Sequence, residues 1–354
     1  MTFFSKEFTT WIDQHAEQID KESCEVANQL VERIAAEGAF RVGVPEELGG
    51  SGGDDTDIID VLSELAHHSL TASFISWGHK TFINNVINSD NPYFREHYLE
   101  KLLSGEYAGA TGLSNAIKYL SNLEELNVTV IEKEGKLYLK GRLPWVTNAR
   151  EKQFLSIFVA GFEDDQKKPL VVAIPYDAEN FSRSDDLEFV SLQGSNTAAL
   201  SFNNVFLKEE WIISHDAPTF LAQNRPSFLG YQFGMAIGLA EKSLSEVEKN
   251  LTNRSILKEE WEETSTALST IKNKLYIGLS EKGYFVEKPK ELFQLRIDIV
   301  DVVTKSLLLE LQAGGGRAYF SNSTTGFIRR WNEGAFLPII SPSAVQLRHI
   351  LTGA

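Results

Sequence analysis

The spacing of apolar residues changes twice along this chain, and these changes constrain the fold more than any other feature. Over residues 1–106 apolar positions recur at intervals of one to two helical turns, which is typical of amphipathic helices. Over residues 107–215 the period becomes two, with β-rich runs such as 128–131 and 155–159. From 216 to 354 the helical period returns. The pattern therefore predicts an α+β chain in three domains with these limits: helical, β-barrel and helical.

Composition narrows the classes of partner. The 354 residues are enough for two or three domains with ample core. A formal net charge of −15 predicts repulsion from nucleic acid and from anionic membranes, although a local basic pocket for a phosphate-bearing ligand stays open. Cys24 is the only cysteine, which excludes a disulfide framework and a cysteine metal cluster. Without a secretory signal or a run of membrane-spanning length, we expect a cytoplasmic protein that binds neither membranes nor nucleic acid.

One strand end has a surface suited to a planar ring. Residues 141–149 close a strand-like run and place Trp145 two positions before Thr147. Residues at i and i+2 of a strand point to the same face, so a flat indole lies beside a hydroxyl donor. This surface fits one edge of a redox-active ring such as a flavin. An ordinary core tryptophan on a half-buried strand is the alternative, and the segment alone does not decide between them.

The order of the domains, together with five short motifs, resembles the acyl-CoA dehydrogenase superfamily of flavoproteins. The motifs are a Pro-Glu-x-x-Gly-Gly loop, a Gly-x-Lys/Arg-x-Trp-x-Thr-Asn segment, a strand leading out of the β domain, two arginines and a Gln-x-x-Gly-Gly-x-Gly-like loop. In this sequence they are residues 45–50, residues 141–148, residues 194–205, Arg225 with Arg254, and residues 312–316. Each motif alone is weak evidence, but five in the family's order are hard to obtain by chance.

The resemblance implies both a fold and a cofactor. The fold is an N-terminal α-helical domain, a middle β-barrel domain and a C-terminal four-helix bundle, with FAD held between domains and between subunits. Trp145 and Thr147 would contact the isoalloxazine edge, and Thr147 would donate to the flavin N5, where a donor stabilises arriving electron density. Arg254 would pair with the pyrophosphate through its planar guanidinium. The alternative for Arg254 is a solvent-facing helix residue.

A cofactor site shared between subunits implies an oligomer. Gln312, Gly315 and Gly316 would approach the dinucleotide of a neighbouring subunit, since glycine lets a backbone come close; a flexible helix break is the alternative. The helix predicted over residues 292–311 is apolar nearly all round and needs a partner surface. We therefore expect a homodimer or homotetramer, with an electron-transferring flavoprotein or a flavin reductase as redox partner.

The resemblance breaks at the catalytic base. The dehydrogenase reaction needs a carboxylate to remove the α-proton of a thioester while hydride passes to the flavin. At the position of this glutamate the chain has Ser341, and the first carboxylate after Arg254 is Glu259. Ser341 thus occupies the catalytic position, but a hydroxyl is no base without help. Thr111 and Ser114 stand where the family contacts flavin and thioester; a capped loop is the alternative for both.

The segment around Ser341 also resembles a different branch, the flavin-dependent monooxygenases similar to dibenzothiophene monooxygenase. These carry Asp-Pro where this chain has Ser341 and Pro342. They take reduced flavin from a reductase, so reduced FMN is an alternative cofactor. The histidine they use just before this pair is Ile340 here, which leaves His79 as the catalytic candidate, with a structural helix residue as the alternative. Ser343, in the same segment, is taken as a cofactor contact.

Three functions therefore remain open. The first is an FAD-dependent oxidoreductase acting on an acyl-CoA-like thioester, and it predicts a carboxylate near the flavin. The second is a reduced-flavin monooxygenase on a small organic molecule, and it predicts that His79 faces the ring. The third is a non-catalytic member of the family, and it predicts that side chains fill the flavin volume or that Arg254 points to solvent. No residue pattern indicates a metal site.

Overall fold

The computed structural model describes residues 2–164, 166–320 and 325–353. Within these residues the chain runs from helices to strands and back to helices, which confirms the order predicted from the spacing of apolar residues. The N-terminal helices are α1 (Lys6–Lys21), α2 (Glu25–Asn28), α3 (Leu30–Ala36), α4 (Asp55–His68), α5 (Leu70–Ile87) and α6 (Tyr93–Leu103).

The middle region contains eight strands and one short helix among the residues described. The strands are β1 (Ala108–Thr111), β2 (Val128–Lys133), β3 (Lys136–Val146), β4 (Phe154–Phe162), β5 (Leu170–Pro175), β6 (Phe181–Asp186), β7 (Ala198–Leu207) and β8 (Ile212–Ser214), with α7 (Ser114–Tyr119) after β1. They pair in the order β6-β7-β3-β2-β4-β5-β8, and β1 pairs with β4. The pairs β1–β4 and β2–β4 are parallel and the others antiparallel. Because this path has two ends, the expected barrel is a mixed sheet that hydrogen bonds do not close within the described chain.

The C-terminal region is helical again. Its helices are α8 (Ala217–Glu248), α9 (Lys258–Ser280), α10 (Tyr284–Glu287), α11 (Pro289–Gly314), α12 (Phe327–Phe336) and α13 (Ala344–Thr352). Only α8, α9 and α11 are long, so the expected four-helix bundle consists, in the described residues, of three long helices completed by short ones. Helix α12 is short because Gly326, left-handed at φ +68°, precedes it and Pro338 follows just after it. No helix in the described ranges has the length and apolar content needed to cross a bilayer.

The N-terminal helices are shorter than the sequence pattern predicts. Apolar residues follow a helical spacing over residues 6–38, but the helix is broken where Glu22 and Cys24 adopt extended backbone. A second break falls at Ser69, whose extended backbone separates α4 from α5 and whose hydroxyl caps α5. Apolar spacing continues across both breaks, because the helices on either side bury the same face.

Small residues bring α8 close to α4. A Cβ atom placed on Gly238 would lie 2.0 Å from the Ser63 carbonyl oxygen, and one on Gly234 would lie 2.6 Å from the Leu62 Cβ. Only glycine permits this approach. The contact joins the N-terminal helices to α8, and α8 also contributes Phe228 to the cavity described next. The predicted domain limits lie in the short connections between α6 and β1 and between β8 and α8.

Candidate active site

A cavity of about 470 Å³ lies where the helical regions and the sheet meet. Its walls come from α5, α7, α8 and α12, from the ends of β1 and β3, from the loop between β6 and β7, and from the segment between α12 and α13. This volume is within the range of small-molecule sites. Five of the sequence-predicted site residues line it: Thr111, Ser114, Trp145, Thr147 and Ser341.

The strand side of the cavity presents an exposed indole and a row of hydroxyls. Trp145 is 54% exposed, and Thr147 follows it at the point where the Thr111 amide donates to the Thr147 carbonyl at 3.2 Å. The Thr197 hydroxyl lies 3.4 Å from that of Thr147 and 2.9 Å from that of Ser195. The Thr111, Thr147, Ser195 and Thr197 side chains all line the cavity. A flat aromatic surface beside several hydroxyls suits a planar heterocycle with ring nitrogen and oxygen acceptors.

The cavity wall also carries two serines that bond to each other. The Ser114 and Ser341 hydroxyls are 2.7 Å apart. The Ser341 carbonyl accepts a hydrogen bond from Gln232 Nε2 at 2.9 Å, and Gln232 Oε1 accepts one from Arg296 Nε at 3.0 Å. Arg296 also donates to the Leu337 carbonyl at 2.8 Å. Burial lowers the pKa of Arg296 to about 10, so the guanidinium remains charged at neutral pH and fixes the serine-bearing segment from behind.

No carboxylate lines the cavity among the residues that the structure describes. Among the described residues that line the cavity, Lys118 is the one with a charged side chain, and its Nζ lies 3.2 Å from the Glu124 carboxylate. A carboxylate does lie behind the wall: Asp20 accepts from the Ser191 hydroxyl at 2.5 Å and from the Leu192 amide at 2.7 Å. Burial raises the pKa of Asp20. The carboxylate that the dehydrogenase hypothesis predicts is therefore not found among the described residues that line the cavity.

His79 does not face the cavity, in contrast to what the monooxygenase hypothesis predicts. Its side chain is fully buried. Its Nδ1 accepts from the Gly109 amide at 2.9 Å, and its Nε2 donates to the Leu102 carbonyl at 2.8 Å. Burial lowers the pKa of His79 to about 3. The two ring nitrogens thus join α5 to α6 and to β1. His79 therefore fits the alternative of a structural helix residue.

Ser343 also has a local structural role. Its hydroxyl accepts from the Gln346 amide at 3.2 Å, while Gln346 Oε1 accepts from the Ser343 amide at 2.6 Å. This reciprocal pair is a capping box at the start of α13. The Ser343 side chain is outside the set that lines the cavity.

The remaining predicted cofactor residues form a separate surface cluster. Arg254 and Gln312 are exposed, and Gly315 lies against the arginine, since a Cβ atom there would be 2.7 Å from Arg254 Nη2. Gly315 has φ +60°, and a Cβ on Gly316 would meet nothing within 4 Å. We name Arg254, Gln312, Gly315 and Gly316 the arginine–glycine cluster. None of its members lines the cavity, so the structure brings these four residues together but away from Trp145.

Comparisons with known sequences identify relatives. Residues 3–106 match the family described as acyl-CoA dehydrogenase, N-terminal domain. An acyl-CoA dehydrogenase of Bacillus subtilis is 25% identical over 234 residues, which cover 65% of this chain and 61% of the relative. Isovaleryl-CoA dehydrogenase of Arabidopsis thaliana is 26% identical over 208 residues, covering 58% and 51%. The matches thus span about three fifths or less of the length of these curated relatives.

Comparisons with solved structures extend over the whole chain. Butyryl-CoA dehydrogenase from Megasphaera elsdenii superposes with a TM-score of 0.82 at 16% identity, covering 99% of this chain and 94% of that one. Glutaryl-CoA dehydrogenase in complex with glutaryl-CoA gives 0.81 at 17% identity, covering 99% and 96%. The fold and cavity define a class of helix–sheet–helix proteins with a site at the domain junction. Residues 3–106 thus match the N-terminal domain family of the acyl-CoA dehydrogenases, and the whole chain has the acyl-CoA dehydrogenase fold.

Proposed function

We propose that this protein is a flavin-dependent oxidoreductase of the acyl-CoA dehydrogenase type, with FAD as its cofactor. The observation that carries the proposal is the exposed Trp145 indole beside the Thr147 hydroxyl on the cavity wall. The row of hydroxyls on that wall fits the acceptor-rich edge of an isoalloxazine ring. Bound there, the flavin would supply hydride or electron transfer, which none of the side chains named can supply themselves. The chain's own residues hold and orient the ring and exclude water.

The arginine–glycine cluster supports a homodimer or homotetramer. Because its four residues lie outside the cavity, they would reach a dinucleotide held in the cavity of another copy. Arg254 would then pair with the pyrophosphate through parallel N–H donors. Gly315 keeps the backbone clear of the Arg254 guanidinium. A single chain would hold only the ring end of the cofactor.

The substrate that we propose is an acyl-CoA-like thioester, since the relatives and structural neighbours carry acyl-CoA names. The missing carboxylate sets a condition on this reaction. Ser341 occupies the position of the base, and its hydroxyl is bonded to Ser114 rather than to a group that would deprotonate it. Removal of an α-proton in this cavity therefore requires a base outside the described lining residues.

The lack of a carboxylate in the described lining favours a second candidate, a reduced-flavin monooxygenase, because the chemistry of a monooxygenase does not begin with removal of an α-proton. This candidate takes reduced FAD or reduced FMN from a flavin reductase, whereas the first passes electrons to an electron-transferring flavoprotein. The buried position of His79 counts against it. The non-catalytic alternative predicts a filled flavin volume, and the open cavity counts against it. Its other expectation, an Arg254 that points to solvent, is in keeping with the exposed Arg254 of one chain.

The test is equilibrium binding of oxidised FAD, reduced FAD and reduced FMN to the purified protein. Tight binding of oxidised FAD supports the proposal, and tight binding of only a reduced form supports the monooxygenase. We expect Trp145→Ala to weaken flavin binding by about 10-fold or more, as loss of an aromatic contact surface should. Trp331→Ala is the control, because Trp331 is 37% exposed and lies outside the cavity. Binding of no flavin form would overturn both enzymatic candidates.

A further inference from the structure

We propose that Ser114, Ser341 and an aromatic wall beside them form a subsite for a compact, uncharged, apolar substrate group that carries one hydroxyl or carbonyl oxygen. This inference rests on the proposed function in one respect: the flavin ring takes the Trp145 surface of the same cavity and leaves the serine pair to the substrate. The aromatic wall consists of Phe74, Trp77, Phe228 and Phe336.

The serine pair has one hydrogen available for a ligand. The Ser114 and Ser341 hydroxyls are 2.7 Å apart, so one donates to the other. The hydroxyl that accepts keeps its own hydrogen, and both oxygens keep a free lone pair. A ligand carbonyl can therefore accept one hydrogen bond from this pair, and a ligand hydroxyl can either donate or accept.

The serine pair is held in position by groups behind the cavity wall. Gln232 binds the Ser341 carbonyl, and the fully buried Arg296 binds Gln232. Arg296 also binds the Leu337 carbonyl, in the same segment as Ser341. Ser114 is the first residue of α7 and is fixed by that helix. Side chains held this way lose little freedom when a ligand binds, which favours selective recognition.

The aromatic wall offers a ligand only apolar surface. The Phe74 and Trp77 rings are stacked with their centroids 5.7 Å apart, and Phe336 contacts Phe74 edge-on at 4.9 Å. Phe228 lies 5.2 Å from Trp77. The Trp77 indole N–H is already used, because it donates to the Phe228 carbonyl at 3.0 Å. The serines lie among these packed rings as polar contacts, and Asn332, on α12 with Phe336, adds a polar side chain to the lining.

Charge on the cavity surface selects against an ionised ligand. Among the lining residues described, Lys118 is the one charged side chain, and Glu124 neutralises it at 3.2 Å. Asn115 binds the same Glu124 carboxylate at 3.0 Å, which holds this ion pair at the α7 side. An ionised substrate group placed against the aromatic wall would lose its hydration without gaining an opposite charge.

The experiment compares three probes with the same ring: benzyl alcohol, toluene and benzoate. Calorimetric titration of the flavin-loaded protein and of the flavin-free protein measures each affinity. We expect benzyl alcohol to bind about 3- to 10-fold more tightly than toluene, as one uncharged hydrogen bond contributes. Benzoate should bind more weakly than toluene. In the double variant Ser114→Ala, Ser341→Ala the preference for benzyl alcohol over toluene should disappear while toluene affinity stays the same.

The control is Ser121→Ala, because the Ser121 hydroxyl binds the Ile117 carbonyl and is outside the cavity lining; it should keep the preference. Toluene or benzoate binding as tightly as benzyl alcohol to the unmodified protein overturns the subsite, whether or not the double variant folds. Failure of the proposed function has a different signature. In that case no flavin binds, yet the flavin-free protein still ranks the three probes as expected.

Discussion

His79 illustrates how a single residue can serve stability rather than chemistry. It accepts one backbone hydrogen bond and donates another, so the ring must be neutral with its proton on Nε2. Its pKa in the folded protein is lowered by burial to about 3, against about 6.5 for an unfolded chain. Between these values the unfolded chain binds more protons. The neutral His79 ring therefore contributes fully to the free energy of unfolding above about pH 6.5, and this contribution is lost as the pH falls toward 3.

Replacing His79 with asparagine tests this role, because asparagine keeps a donor and an acceptor but does not titrate. We expect the unmodified protein to be more stable than His79→Asn by a margin that shrinks from about pH 7.5 to about pH 5.5, by at most about 1.4 kcal/mol per pH unit. Urea unfolding of both proteins at each pH measures the margin. Lys80 and Glu333, with pKa values shifted by burial to about 7, are present in both proteins. A margin that does not change with pH would show that His79 is not the titrating group.

Sequence reasoning located the residues on the cavity surface better than those behind it. Trp145 and Thr147 were predictable because strand alternation places residues two apart on one face. Asp20, Gln232 and Arg296 were missed, because they act through other residues that are distant in sequence. For Asp20 a signal was present, since it continues the four-residue spacing of buried positions along α1. A carboxylate on a buried helix face must find donors, and it finds them on the cavity wall.

At the scale of elements, the contact between α4 and α8 depends on the absence of side chains. A Cβ on Gly238 would meet the Ser63 carbonyl oxygen at 2.0 Å, whereas one on Gly230, in the same helix, would meet the Leu279 Cδ1 at an ordinary 3.4 Å. A backbone oxygen cannot move aside as a flexible side chain can. Gly230 and Gly238 therefore serve as a matched pair. Both are buried in α8, but only Gly230 leaves room for a Cβ atom.

We expect Gly238→Ala to destabilise the protein by about 1–3 kcal/mol or more, since the two helices must separate. Gly230→Ala should be neutral or stabilising by up to about 1 kcal/mol, because alanine favours helix. The midpoints of urea unfolding for both variants and the parent measure these effects. An equal loss of stability in the two variants would contradict the explanation that Gly238 is needed for the close contact between α4 and α8.

Element boundaries were less predictable than element types. The spacing of apolar residues reports which face is buried, and it continues through the breaks at Glu22 and Ser69 because the next helix packs on the same core. The short strand β6, with the sequence FSRSDD, has little apolar alternation and ends the sheet path. Whether a sheet closes depends on pairing between distant strands, which local pattern does not record.

At the scale of the whole molecule, the arginine–glycine cluster makes the oligomer testable by mixing subunits. A subunit carrying Trp145→Ala has a damaged cavity but an intact cluster, and a subunit carrying Arg254→Ala has the reverse. If the cofactor is shared, a dimer of the two contains one undamaged site. Random pairing of equal amounts should then restore about a quarter of the sites, measured as flavin bound per chain in co-expressed protein.

The control pairs Trp145→Ala with Thr147→Ala, since both changes damage the same cavity and no undamaged site can arise. Recovery in this control, or none in the first mixture, would contradict a site shared between copies. Sedimentation of the same samples reports the oligomer directly, and a stable monomer that retains flavin would likewise contradict a shared site. The outcome decides whether one chain is a complete catalytic unit.

A change of pH acts differently on the protein interior and on the cavity, whose described lining carries hydroxyls and no carboxylate. Three buried groups whose pKa values burial moves to between about 3 and 7, His79, Lys80 and Glu333, lie outside the described cavity lining. Serine and threonine hydroxyls and apolar rings neither gain nor lose protons near neutrality. Acidification therefore acts on the scaffold before it acts on recognition. As the pH falls from about 7 to about 4.5, protonation of Glu333 stabilises the folded chain and the neutral His79 destabilises it. The balance of these two groups changes the stability of the fold and leaves the described lining of the cavity in the same protonation state.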